Sequence, residues 1–223
     1  MKRLLIPLVA ALVLVAGCGP GARAAAPVAS PAVDQTPLSQ LQVAGDLRAL
    51  TGPATAVLAD RAIAPIDSGP VSELPVTVTS HHRSGDREVT VTDTTRIVAF
   101  DLAGSIAATV WGLGLGDRLV ARDVSTEFPG SEKLPLVTTE GHSINAEAVL
   151  AQRPTVILTD GTLGPRDVVE QLADTGVPVV FVKNTAGYVG AADLAREVAA
   201  ALGVAEAGER LAERITADVA AVK

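Results

Sequence analysis

The sequence predicts an α/β fold: a Rossmann-like lobe built on a parallel sheet, with a β-hairpin before it and helices after it. Three observations carry that prediction. From residue 93 onward, short apolar runs alternate with amphipathic stretches of helix length, the pattern of a sheet covered on both faces. Two runs of alternating Val and Thr come just before. The 223 residues are 48% hydrophobic but only 2% aromatic, so the core is built from Ala, Val, Leu and Ile. With 19% charged residues and a net charge of −7, the chain is too apolar for global disorder and lacks the basic surplus of a nucleic-acid binder. A single Cys excludes an internal disulfide and any multi-Cys metal site.

The N-terminus reads as a targeting segment. Lys2 and Arg3 precede an apolar stretch from Leu4 to Ala16, the length of a signal-peptide core and short for a membrane span. It ends Val15-Ala16-Gly17-Cys18, which looks like a bacterial lipobox. The resemblance implies a signal peptide over 1–17, cleavage before Cys18 and acylation of its thiol, hence anchoring on the outer face of a membrane. Residues 18–41, rich in Ala, Pro, Gly and Ser, read as a flexible tether. Residues 42–92 form an N-terminal extension, with a short helix near 45–50 and the hairpin at its end.

In that hairpin Val76 and Val78 alternate with Thr77 and Thr79, and Val89 and Val91 with Thr90 and Thr92, across a Ser84-Gly85-Asp86 turn. Arg96 to Phe100 is a short buried strand. Asp101 is placed to cap a helix over 102–113, ended by Gly112, Gly114 and Gly116. Strands follow over 119–123, 155–159 and 178–182, with helices over 145–152 and 167–174 between them. The lobe proper runs from 93 to 185. Residues 186–223 are helical, over 191–202 and 206–222. In the latter, Leu211, Ile215, Val219 and Val222 share a face, and Glu206 and Arg210, four apart, are placed to pair. That pattern reaches Lys223 without a stop signal, which points to a truncated polypeptide.

Signatures of catalysis are missing. There is no Gly-x-x-x-x-Gly-Lys, no Gly-x-Ser-x-Gly, no His-Glu-x-x-His and no Cys-x-x-Cys-His. His81 and His82 read as solvated turn residues; adjacent strand positions face opposite ways, so the two cannot easily share one ion. His142 lies in Thr138-Thr139-Glu140-Gly141-His142-Ser143-Ile144-Asn145, between a strand region and a helix, on the side of an α/β sheet where ligands bind. Gly141 permits a sharp turn, and Ser143 and Asn145 are candidate caps. Read alone, a loop histidine is more often a structural or solvated group than a ligand.

The stretch from Gly141-His142-Ser143-Ile144-Asn145-Ala146-Glu147 through Arg153-Pro154-Thr155-Val156-Ile157-Leu158 resembles a recurrent element of ABC-importer substrate-binding proteins. This is the class that captures vitamin B12, ferric siderophores or haem between two α/β lobes joined by a long helix. Arg96 to Ala99 and Gly176 to Val182 match as well; Thr155 stands where the class usually has Asp. Together with Thr159-Asp160-Gly161-Thr162-Leu163-Gly164-Pro165, the His142 loop looks most like haem-binding lipoproteins of high-GC Gram-positive bacteria. The resemblance spans residues 93–223. It implies the N-terminal lobe of a two-lobed solute-binding protein, the start of the interlobe helix, and no second lobe.

From that resemblance follow the expected roles. His142 is the axial ligand to haem iron, with Gly141 and Ser143 beside the ligand. Glu147 docks an ABC transporter permease, and Cys18 carries the lipid. Haem is the transported ligand, no bond chemistry is performed, and no nucleic acid is a partner. The family's second ligand, a Tyr of the other lobe, is not matched by Tyr188, the one Tyr here. A ferric-siderophore or cobalamin binder of the same class, or an exported α/β enzyme, are the rival readings.

Overall fold

The computed structural model describes Gly45 and residues 61–222. The expected signal segment, Cys18, the tether and, apart from Gly45, the short helix over 45–50 lie outside the described residues. The elements are β1 (Val76–His82), β2 (Gly85–Val91), β3 (Ile97–Phe100), α1 (Ser105–Val110), β4 (Leu119–Ala121), α2 (Ala146–Ala151), β5 (Val156–Thr159), α3 (Arg166–Asp174), β6 (Val179–Phe181), α4 (Tyr188–Ala201) and α5 (Ala205–Val222). β4, β3, β5 and β6 make a parallel sheet in that order, and β1 and β2 make a separate antiparallel ribbon. Ile97 to Phe100 sits in register with Val156 to Thr159, and Ile157 to Thr159 with Val179 to Phe181.

Every residue of β3, β5 and β6 is buried. That is why these strands read as continuous apolar runs: helices cover both faces, so no side has water to favour a polar residue. One face packs Ile97, Ala99, Val156 and Leu158 against Ile106, Val110, Leu194, Val198 and Leu211. The other packs Val98, Phe100 and Ile157 against Val149, Val169 and Leu172, with Val137, Ile144 and Leu163 closing its end.

Two expectations about helix ends are corrected. The first helix starts at Ser105, not 102, because Leu102 to Gly104 form a turn in which Gly104 takes φ 70°. Asp101 still serves that helix from outside: its carboxylate accepts from the amides of Ser105 (3.1 Å) and Ile106 (2.9 Å), two donors the first turn leaves without intrahelical partners. The helix continues through a π-helical segment, Trp111–Leu115, broken where Gly114 takes φ 84°. There a Cβ would lie 2.2 Å from the Asp67 carbonyl oxygen, so only glycine fits. In α5, Arg210 pairs with Asp67 rather than with Glu206.

The histidine pair is also corrected. His81 and His82 end β1 and are not solvated turn residues. The connection is Arg83-Ser84, with His82 opposite Gly85. As alternation requires, the two face apart. His81 Nδ1 meets Asp86 at 3.0 Å and its Nε2 lies 3.8 Å from Glu197 of α4. His82 stacks on Phe181 at 4.4 Å, and its buried Nδ1 has no partner. The neighbouring Ser80 completes the sheet: its hydroxyl accepts from the Phe181 amide at 2.8 Å, covering an edge that no strand pairs.

Burial is the main cause that holds the His82 pKa below its ordinary 6.5, with Arg87 adding to it and Glu170 opposing. The unfolded chain therefore takes up this proton first as pH falls. His82 contributes its full stability above about 6.5, and loses it on acidification. His82→Phe keeps the stack and removes the titration. Urea midpoints measured on both sides of that pH are expected to fall less in the variant than in the parent.

Candidate functional site

The site is assembled on the carboxyl edge of the sheet, where four strand-to-helix connections meet. The segment before α2 is drawn across this edge by backbone pairing. Arg122, just after β4, donates its amide to the Pro135 carbonyl at 2.9 Å and accepts from the Val137 amide at 3.0 Å. On the return, the Ile144 amide donates to the Gly164 carbonyl, beyond β5, at 2.7 Å. Because β3 lies between β4 and β5, residues 135–144 bridge the carboxyl end of β3.

His142 sits at the tip of that bridge. The Thr139 amide donates to the Ser143 carbonyl at 2.8 Å and Thr138 bridges Ile144, which closes a tight hairpin. At its turn Gly141 has φ 78° and His142 φ 65°. A non-glycine residue in the left-handed region is uncommon and carries strain of about 1 kcal/mol, and such residues cluster at ligand sites. The imidazole is exposed. It has no hydrogen bond, ion pair or ring contact with any described residue.

The neighbours behave as follows. Asn145, not Ser143, caps α2: its side chain accepts from the Ala148 amide at 3.0 Å. Ser143 is half-buried, and its hydroxyl has no hydrogen-bond partner among the described residues. Gly141 is exposed, with open space where a Cβ would stand. Glu147 is exposed in the first turn of α2 and has no ion-pair partner among the described residues. Cys18 lies outside the described residues, so the structure brings together His142, Gly141, Ser143 and Glu147 only.

A polar network unforeseen in the sequence holds this edge rigid. Asp101, fully buried, accepts from the Ser105 hydroxyl at 2.7 Å and from three backbone amides at 2.9–3.2 Å. Its own amide donates to Asp123, which also accepts from the Thr126 amide and hydroxyl. Burial pushes the Asp123 carboxyl above the ordinary carboxylate range; the bonds from Thr126 and the Asp101 amide pull it partly back, and the Asp101 charge adds to the rise. Asn184, after β6, donates to Asp160 at 2.9 Å and to the Ser105 hydroxyl at 3.1 Å, tying three connections together.

On this scaffold apolar side chains are turned outward. Leu102 after β3 is 54% exposed, Val124 after β4 36%, and Tyr188 and Val189 after β6 75% and 80%. Two of the six large hydrophobic residues exposed among the described residues, Leu102 and Val124, thus stand within three residues of a strand's carboxyl end, while Tyr188 and Val189 open α4. The readable signal was position: an apolar residue just past a strand, where a polar one is the usual choice.

The site is an open face and not a pocket. A cavity of about 610 Å³ lies elsewhere, between β1, β6 and α4. No group of three or more His, Cys, Asp or Glu among the described residues could hold a metal ion. A lone imidazole is a poor host for a bare ion. It can fill one open position on a metal whose other positions are already taken.

Comparison with known proteins agrees with this architecture. The family model described as periplasmic binding protein matches residues 100–223. The crystal structure of the heme-binding protein HmuT superposes with a TM-score of 0.68 and 37% identity, over 72% of this chain and 51% of that one. The periplasmic heme-binding protein RhuT from Roseiflexus sp. RS-1, in apo form, gives 0.53 and 31%, over 58% and 49%. The vitamin B12-binding protein of Yersinia pestis (strain Pestoides F) is 32% identical over 84 residues, 38% of this chain and 30% of its own. The chain thus spans about half the length of these solved structures and under a third of that curated relative.

Proposed function

Because the chain belongs to the periplasmic binding protein family, we propose that it captures haem outside the cytoplasm and hands it to an ABC transporter permease. The observation that carries this reading is His142: an exposed imidazole on a left-handed turn at the carboxyl edge of the sheet, with no hydrogen-bond or ion-pair partner among the described residues. Haem suits that chemistry. The porphyrin occupies four iron positions and leaves the axial ones for a protein donor such as imidazole. Its apolar faces match the exposed Leu102 and Val124, just after β3 and β4, better than a bare ion or a small polar solute would. The heme-binding proteins HmuT and RhuT, similar over this region, support the same ligand.

Gly141 and Ser143 stand beside the iron in this reading, the first allowing the turn and the second offering an unspent hydroxyl. Glu147, charged and exposed at the start of α2, is the docking contact to the permease. Cys18, once acylated, holds the protein at the membrane; no described helix is long and apolar enough to cross it. The protein binds and delivers its ligand and performs no bond chemistry.

The test is titration of the purified chain with haemin. A shifted Soret band is expected, and His142→Ala should weaken binding by about tenfold or more. An unchanged haemin affinity in that variant would remove His142 from the site. The Yersinia pestis relative favours cobalamin as the second reading; cobalamin binding that ignores His142→Ala, with no haemin response, would establish it. Glu147→Ala separates capture from delivery. Haemin affinity is expected to stay unchanged while uptake through the permease falls by about tenfold, the loss expected for a charge-assisted contact.

A further inference from the structure

A second site lies past the end of β4, where Arg61 and Arg122 line one cavity of about 420 Å³ with Thr126, Phe128, Pro129 and Ser131. We infer that this cavity binds a small oxyanion, a carboxylate or a phosphate, gripped between the two guanidinium groups. Arg122 Nε is buried and has no acceptor. The one hydrogen bond of the Arg122 side chain is a long one, Nη1 to the Asp123 carbonyl at 3.3 Å. Arg61 donates once, to the Glu127 carbonyl at 2.9 Å, and keeps its other donors.

A buried guanidinium N–H without an acceptor is costly, and native proteins satisfy such groups with protein, water or a bound ion. The carboxylates in the cavity wall do not meet this need. Glu132 accepts from the Gly130 amide at 2.7 Å and feels the Arg122 charge without pairing with it, and Arg61 meets the backbone carbonyl of Glu127, not its carboxylate. Among the described residues neither Arg61 nor Arg122 forms an ion pair. Two guanidinium groups lining one cavity, with the Arg122 Nε–H buried behind its wall, suit an anion with several acceptor oxygens. The rest of the wall is fixed. The Ser131 hydroxyl is tied to the Thr126 and Phe128 carbonyls, and Trp111 packs on Phe128 at 5.1 Å. This site is independent of the haem reading, since none of its residues stands in the His142 loop.

Titration of the full chain, labelled with nitrogen-15, with inorganic phosphate and separately with acetate tests this at constant ionic strength. The Arg122 Nε–H resonance is expected to move saturably, with a midpoint on the order of 1 mM. Tighter binding of phosphate assigns a phosphorylated ligand; tighter binding of acetate assigns a carboxylate. Arg61→Gln, at an exposed position, and Arg122→Lys, which keeps the charge but loses the fork, should each weaken binding about tenfold. No saturable shift with either anion up to about 50 mM, or a shift the two variants leave unchanged, overturns the proposal and assigns the Nε proton to buried water.

Discussion

Asp101→Ala is expected to destabilise the protein by about 3–5 kcal/mol, because it strips a buried acceptor from four donors at once. Those donors are the Ala103, Ser105 and Ile106 amides and the Ser105 hydroxyl. An alanine methyl replaces none of them. Two of the amides belong to the first turn of α1, and no residue of α1 can accept from them. The Ser105 hydroxyl also receives the Asn184 bond, so the loss spreads to the connection after β6. Asp101→Asn keeps one acceptor oxygen and should fall between the parent and Ala. The check is the urea midpoint, with the denaturant slope held in view. A loss under about 1 kcal/mol would mean that water reaches these amides and that the network is not what stiffens the edge.

Gly208→Ala is expected to destabilise the protein by about 2–3 kcal/mol, against the sign that helix propensity gives. On propensity alone, replacing glycine inside a helix gains about 1 kcal/mol. Packing decides otherwise. A Cβ at Gly208 would lie 2.4 Å from the Ala199 Cβ and 3.3 Å from the Ala195 carbonyl oxygen. Both obstacles are attached to the α4 backbone, so no rotamer change relieves them and the two helices must separate. Separation would loosen Val198, Ala199, Leu202, Ala207, Leu211 and Ala212, all buried in one core with the sheet. Thermal or urea denaturation reads the effect directly. A variant as stable as the parent would show that α4 and α5 are not held at this distance.

Much of the fold was legible because its signals are local. A run such as Val156 to Thr159 can be buried on both faces only inside a covered sheet. The alternation of Val and Thr from Val76 to Val91 can only be a ribbon with one face on the core. Asn145 caps α2 three residues before the amide it serves, within the reach of sequence reading. The His142 loop was found by its place between a strand and a helix. That its backbone is left-handed, and that its ring has no partner among the described residues, depends on Pro135 and Gly164 holding the loop from either side.

The sequence by itself determined the order of strands and helices, the aliphatic core and the loop that carries His142. Those follow from periods of two and 3.6 residues and from side-chain chemistry, which act over a few neighbouring positions. Only the tertiary structure decided which apolar residues turn outward at the strand ends, that Gly208 is a contact and not a weakness, and that Ser80 covers the edge of β6. The tertiary structure alone also decided that Arg61 and Arg122 share a cavity. Each of these depends on groups tens of residues apart in the chain, as with Ser80 and Phe181, and a local pattern carries no record of what folding brings beside it.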